Sequence, residues 1–199
     1  MVNAVEIGFA GTHSSGKSTL ARRVEMELRA TGLTVTRTSG LAQRAAELGF
    51  PKMTRHTAES TEWIITASAA AVLENALSAD VVLVDRTAHD AIAYYLAALQ
   101  YRDEVPDPDT LAHLTTLAEL HARRHRLLLA TVLDPALPLA EHPRKDPAYQ
   151  DPGFRTAVDQ HLHAHLTAQH IKHLPVPATG HADAVNAAVA ALLDQVAAA

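Results

Sequence analysis

The run Gly11-Thr12-His13-Ser14-Ser15-Gly16-Lys17-Ser18-Thr19 holds the clearest chemistry in this chain. It fits G-x-x-x-x-G-K-[ST], a loop whose backbone N–H groups turn inward around phosphates. Gly11 and Gly16 permit the backbone angles this requires, and the helix opening at Lys17 adds its positive end. Lys17 is a mobile charge for the β- and γ-phosphates, and the Ser18 hydroxyl is placed to ligate Mg²⁺. His13, Ser14, Ser15 and Thr19 complete the cradle. The loop predicts ATP and Mg²⁺ as cofactors but does not name the reaction, because ATPases, GTPases and kinases share it.

A second candidate lies at Asp85-Arg86, which ends the apolar run Val81-Val82-Leu83-Val84. A carboxylate at the carboxyl end of a buried strand is what Mg²⁺ binding or acceptor activation needs beside a phosphate loop. The plainer role for Asp85 is to cap the helix that starts near Thr87, and the two roles are not exclusive. Arg86 is placed to hold an acceptor or reach the transferred phosphoryl group. Asp90 follows one turn later, either as a solvated first-turn carboxylate or as part of an acceptor pocket. Tyr94 and Tyr95 are candidates to line that pocket, although buried aromatics usually serve the core.

The chain has 13 histidines, and His161 and His165 share a helix face at a spacing that can hold zinc. No Glu follows as in H-E-x-x-H, and exposed polar positions are the plainer reading. His13 differs because it lies inside the phosphate loop, where it either points toward an acceptor or fills a free position.

The elements that must position these groups follow an alternating pattern, which predicts an α/β fold with a parallel sheet. Strands are expected at Val5–Ala10, Leu33–Thr38, Val81–Asp85, Leu127–Leu133 and Ile171–Val176. Helices are expected from Lys17 to about Ala30, Leu41 to Leu48, Thr57 to Ser78, and Thr87 to Tyr101. Others run from about Thr110 to Arg124, from Phe154 to His170, and from His181 onward. The acidic stretch Asp103–Asp109 and the proline-rich segment Asp134–Gly153 read as loops, and the length of the second marks it as functional. With no repeat or linker, residues 1–199 read as one domain.

Composition limits the function classes. The 199 residues are 48% hydrophobic and 20% charged, ordinary for a globular domain able to bury its own core. There is no cysteine, which excludes disulfides, thiol catalysis and thiolate zinc sites. A net charge of −5 argues against nucleic acid as a partner. The N-terminus lacks a signal-peptide pattern and no apolar window is long enough to span a bilayer, so a cytoplasmic location without membrane attachment is expected.

Together the phosphate loop, Gly49-Phe50-Pro51, Glu62-Trp63-Ile64, Val84-Asp85-Arg86-Thr87-Ala88-His89-Asp90 and Tyr94-Tyr95 resemble a known group. It comprises small AAA-labelled P-loop ATPase/kinase proteins, akin to the nicotinamide riboside kinase domain of bacterial NAD-synthesis regulators. More distantly, Asp85-Arg86 is similar to the Asp-Arg of thymidylate and deoxynucleoside kinases. The resemblance implies a P-loop NTPase fold of nucleoside/nucleotide kinase type. Its five-stranded parallel sheet is flanked by helices, and the Asp85 strand neighbours the loop strand. It also implies a lid over about 138–154, with Arg144, Lys145 and Arg155 as candidates to clamp the transferring group. Thr179 and Gly180, in Pro177–Gly180, fall where such kinases contact adenine.

Two departures bear on the substrate. Relatives often carry a Glu after the second strand, whereas Thr38–Arg44 holds no carboxylate, which leaves Asp85 as leading base ahead of Glu59, Glu62 and Asp90. The usual Asp-Gly-x-Arg of the lid is replaced by His142-Pro143-Arg144-Lys145-Asp146-Pro147. The resulting expectation is a phosphotransferase with Lys17, Asp85, Arg86, Arg144 and Arg155 as catalytic groups. Ser18 and Asp85 are its metal ligands. The acceptor is a small molecule, nucleoside- or riboside-like, and a homodimer through the Ala-rich helices is compatible with the pattern. The alternatives are a nucleotide-hydrolysing regulatory ATPase and an antibiotic- or sugar-directed kinase on the same fold.

Overall fold

The apolar runs become the strands of one sheet. In the computed structural model, which describes residues 4–136, 139 and 146–196, these are β1 (Val5–Ala10), β2 (Val35–Thr38), β3 (Val81–Asp85), β4 (His125–Thr131) and β5 (Leu174–Val176). All pairings are parallel, in the order β2-β3-β1-β4-β5. Parallel strands need crossovers, and the helices that supply them cover both faces. They are α1 (Lys17–Ala30), α2 (Leu41–Glu47), α3 (Ala58–Asn75), α4 (Ala88–Tyr101), α5 (Pro108–Ala122), α6 (Pro152–Ala168) and α7 (His181–Val196). The expected five-stranded sheet, with the Asp85 strand beside the loop strand, is what forms. Among the described residues no helix is long and apolar enough to cross a membrane.

The two-residue period of β1 divides the core. Val5, Ile7 and Phe9 face α1 and α7, where Leu20, Val24, Leu28, Val185, Ala188 and Leu192 meet them. Ala10 faces the other way, with Ala130 from β4, toward the helices α4 and α6. There Ala93, Ala97 and Ala98 of α4 pack with Val158, Leu162 and Leu166 of α6. The small residues of α4 let it pack closely against α6 on this side of the sheet. This helix is buried along most of its length, so its aliphatic face is consumed within the chain.

Several boundaries differ from expectation: β4 lies two residues earlier, at His125–Thr131, and α3 ends at Asn75, while four others have a local reason. Thr34 precedes β2 because its N–H donates to the Asp80 side chain at 2.8 Å and its carbonyl takes the Asp80 and Val81 N–H groups. Ile171 closes α6 instead of opening β5: its N–H reaches the Leu166 carbonyl past His170, which sits at φ 52°. Helices α5 and α6 start earlier, at Pro108 and Pro152, each capped by the preceding Asp side chain.

Several histidines are core residues. His89 is fully buried, and its Nδ1 lies 3.2 Å from His165 Nε2. His161 instead meets Gln100 at 2.7 Å, and among the described residues no three metal-ligating side chains gather. The zinc spacing is thus divided between a buried pair and a surface contact.

Burial pushes His56 and His125 down from the ordinary 6.5 to about 4, and His89 to about 3. The unfolded chain therefore takes up these protons first as pH falls. Their contribution to stability is complete above about pH 6.5 and is lost between there and about pH 4. From pH 7 to pH 5 we expect each to remove about 2 kcal/mol, read as a falling denaturant midpoint. A midpoint unchanged across that range would contradict the buried neutral assignment.

Candidate functional site

The phosphate loop leaves β1 at the sheet's carboxyl edge, the edge where open α/β sheets bind ligands. Gly11 is at φ 151° and Gly16 at φ 84°. A Cβ on Gly11 would overlap Thr131 Oγ1, so that position is closed to any side chain. Thr131 holds the loop from β4: its hydroxyl donates to the Ala10 carbonyl at 3.2 Å and lies 2.6 Å from Ser15 Oγ. Ser15 in turn donates to the Thr12 carbonyl at 2.9 Å. No side chain caps α1 and no acidic residue stands in its first turn. Its N-terminal N–H groups and dipole are thus directed at an anion.

Helix α4 grips the loop from the other side. Asp90 Oδ1 accepts the Gly11 N–H at 2.9 Å, while Oδ2 accepts the Thr87 N–H at 2.8 Å and the Thr87 hydroxyl at 3.0 Å. One turn on, the Tyr94 hydroxyl accepts the His13 N–H at 3.1 Å and meets His13 Nδ1 at 2.9 Å. Asp90 is only 2% exposed. Burial raises its carboxyl pKa, opposed by Lys17 and Arg86 and by the Gly11 and Thr87 donors.

Lys17 and Ser18 converge on Asp85. Lys17 Nζ is 3.4 Å from Asp85 Oδ1, and the Ser18 hydroxyl donates to Oδ2 at 3.2 Å. Burial, then the charge of Arg86, lowers the Lys17 pKa. Asp85 does not cap α4; Thr87 does, in a capping box with Asp90. Arg86 takes φ 80°, held by its N–H bond to the Phe9 carbonyl at 3.1 Å, and its guanidinium lies 5.2 Å from the Tyr94 ring centre. The Ser18 hydroxyl and the Asp85 carboxylate are hard oxygen donors on one spot, a set that suits Mg²⁺.

Beside these groups a cavity of about 420 Å³ opens, the size of a small-molecule site. Arg86, Thr87, Asp90 and Tyr94 form one wall; Ala45 of α2, Met53 and His56 contribute others. Asp146 and Tyr149, from the 3₁₀ turn region Pro147–Gln150, line it as well. Tyr149 also touches the loop, its carbonyl 3.0 Å from His13 Nε2 and its hydroxyl 3.0 Å from Ser14 Oγ.

The structure thus brings Gly11, His13, Ser14, Ser15, Gly16, Lys17, Ser18, Asp85 and Arg86 together. Thr19 is on the exposed side of the first α1 turn. Thr179 and Gly180 precede α7, and the His181 ring stands 3.1 Å from where a Gly16 Cβ would be. Arg155 is 4% exposed; its guanidinium donates to the Asp134 carbonyl at 3.3 Å and its own carbonyl accepts the Thr12 hydroxyl. Arg144, Lys145 and most of the expected lid lie outside the described residues. Tyr94 lines the cavity, whereas Tyr95 packs in the core with Ile65, Ile92 and Leu114. Sequence reasoning missed Thr131, Tyr149 and His56. Only Thr131 left a trace, as a hydroxyl near the end of an apolar strand.

A family model described as "AAA domain" matches residues 6–184. A solved structure of NadR protein in complex with NR is 15% identical over 92% of this chain and 50% of that one, with a TM-score of 0.62. A second, of NadR protein in complex with NAD and AMP-PNP, is 18% identical over 87% of this chain and 43% of that one, with a TM-score of 0.60. The chain spans half or less of the length of these structures, and at such identities the likeness is one of fold. No curated protein matches the sequence significantly.

The Asp90 bond to Gly11 yields a prediction. Asp90→Ala leaves buried donors on Gly11 and Thr87, and should lower stability by about 2–4 kcal/mol and weaken ATP binding about tenfold. Denaturation and ATP titration measure the two. Unchanged ATP affinity in a folded variant would show that Asp90 does not set the loop.

Proposed function

The chain belongs to the P-loop AAA domain family, and on that premise we propose that it is a small-molecule kinase. It transfers the γ-phosphoryl group of ATP, with Mg²⁺, to a hydroxyl of a nucleoside- or riboside-like acceptor. The observation that carries this reading is the cavity of about 420 Å³ whose wall includes Asp90 and Tyr94, the two side chains that anchor the phosphate loop. A nucleotide switch has no need of a second, mainly apolar pocket at that place. The NadR structures, which hold NR in one case and NAD with AMP-PNP in the other, favour ligands of this kind.

In this reading the loop N–H groups and Lys17 hold the phosphates, with Gly11, His13, Ser14, Ser15, Gly16 and Thr19 forming the cradle. Thr179 and Gly180 lie beside the adenine. Ser18 and Asp85 would hold Mg²⁺, which would neutralise charge on the phosphates. Arg86 positions the acceptor. The acceptor oxygen bonds to the γ-phosphorus as the bond to the β–γ bridging oxygen breaks. ADP leaves and the hydroxyl proton is released to solvent, while Asp85, bonded to Lys17 and Ser18, keeps the phosphates aligned. Arg144 and Arg155 neutralise the transferring group, because a loose phosphoryl transition state gains most from positioning and charge.

The test is ADP release with ATP and Mg²⁺ across nucleosides, nucleotides, ribosides and aminoglycoside-like compounds. One acceptor class should raise turnover well above hydrolysis. Lys17→Ala and Asp85→Asn should each reduce that turnover on the order of 100-fold or more. If no acceptor raises turnover while Lys17→Ala still abolishes nucleotide binding, the kinase reading fails in favour of a regulatory ATPase.

A further inference from the structure

Tyr149 stands where the phosphate loop and the cavity meet. It lines the cavity and is half-buried. Its hydroxyl lies 3.0 Å from Ser14 Oγ, on the exposed side of the loop. Its carbonyl is 3.0 Å from His13 Nε2, and a carbonyl only accepts, so the imidazole is the donor there. The two rings pack with their centres 4.6 Å apart.

The short turn Pro147–Gln150 holds the residue in this pose. The Asp146 side chain caps the turn by accepting the Ala148 N–H at 3.0 Å, and the Tyr149 N–H returns to the Asp146 carbonyl at 2.8 Å. The phenol is thus carried by an ordered turn, and its oxygen both donates and accepts.

The loop shows where phosphate must sit relative to that oxygen. Gly11 and His13 spend their N–H groups on Asp90 and Tyr94. The anion seat is then the stretch from Ser14 to the start of α1. Ser14 enters it at φ 56°, and a left-handed residue of this kind aims successive N–H groups into one concavity. Lys17 reaches the β- and γ-phosphates from the helix side. Transfer to a molecule in the cavity requires the terminal phosphoryl group to face the cavity wall. Tyr149 is a part of that wall already bonded to Ser14.

We propose that Tyr149 binds the γ-phosphoryl group of ATP, its phenolic O–H donating to a terminal oxygen in place of the bond to Ser14. A hydrogen bond to a charged oxygen is roughly twice as strong as one between neutral hydroxyls, so the exchange is favourable. ADP has no γ-oxygen to accept it. The contact therefore separates ATP from ADP and orients the group toward the acceptor. The proposal deepens the kinase reading and rests on it for the direction in which the terminal phosphoryl group points. Its test reads nucleotide binding, so the two can fail separately.

The test titrates the full chain with AMP-PNP and with ADP, each with Mg²⁺, in wild type and in Tyr149→Phe. Phenylalanine keeps the ring on His13 and the backbone bond, and removes the hydroxyl alone. Kd for AMP-PNP should rise about tenfold, with Kd for ADP within about twofold. In wild type labelled with ¹³C at tyrosine Cζ, the Tyr149 resonance should move with AMP-PNP and stay with ADP. That second measurement holds even where the variant fails to fold. ADP release is followed in parallel with ATP across the acceptor panel.

Equal loss of both nucleotides shows that the hydroxyl only shapes the loop, and overturns the assignment. So does a Tyr149 resonance that answers AMP-PNP and ADP alike. Acceptor-driven turnover, with AMP-PNP affinity unchanged in Tyr149→Phe, overturns the role of Tyr149 and leaves the kinase reading intact. A loss confined to AMP-PNP, without any acceptor-driven turnover, upholds the contact and sinks the kinase reading.

Discussion

A single buried carboxylate, that of Asp90, fixes the relation between the phosphate loop and the helix beneath it. One oxygen takes the first N–H of the loop, at Gly11, and the other takes the first turn of α4, at Thr87. An ionised carboxylate suits this place because it only accepts, and all three groups facing it donate. Burial works against ionisation, and Lys17, Arg86 and the donors work for it. Tyr94, four residues on, repeats the arrangement with the His13 N–H. The spacing puts both side chains on one helical face, so α4 reads the loop's backbone at two points. The same face, with Ala91, forms the wall of the cavity. The loop and the cavity are therefore positioned by one rigid element.

The end of β3 serves both sides in a different way. Parallel registry with β1 places Asp85 opposite Phe9, two residues before the loop begins at Gly11. Asp85 then meets Lys17 and Ser18 directly. The next residue must point elsewhere, and the chain achieves this by taking Arg86 into the left-handed region, which costs on the order of 1–3 kcal/mol for a non-glycine residue. The bond from its N–H to Phe9 and the stacking on Tyr94 oppose that cost. Consecutive residues of opposite charge thus face the loop and the cavity, and strain at one residue is what separates them.

Most of this framework was legible because it rests on local patterns. The loop residues are near in sequence, and Val81–Asp85 reads as a buried strand because apolar residues fill both of its faces. What escaped was what depends on two ends of the chain meeting. Asp90 read equally as a solvated carboxylate, although Thr87-x-x-Asp90 carries a capping-box spacing that points to a structured helix start. Its second bond, to Gly11, joins positions far apart in sequence, and no local rule predicts it. Asp107-Pro108 and Asp151-Pro152 read as loop because proline breaks helices, yet in each pair Asp caps and Pro opens the helix. His56 left no signal at all, since its place in the lining of the cavity depends on α2, α4 and two 3₁₀ turns coming together.

The segment between β4 and α6 is tied to the loop from both of its ends, which bears on how it could act. On the β4 side, Thr131 bonds to Ala10 and Ser15, and the Asp134 carbonyl takes the Arg155 guanidinium. On the α6 side, the Arg155 carbonyl takes the Thr12 hydroxyl, and Tyr149 touches His13 and Ser14. The α6-side contacts fall on residues 12, 13 and 14, between the two loop glycines, and the β4-side contacts on Ala10 and Ser15. Asp146 and Tyr149 also line the cavity. Tyr149 therefore joins the two features: a displacement of His13 or Tyr149 moves a wall of the neighbouring pocket.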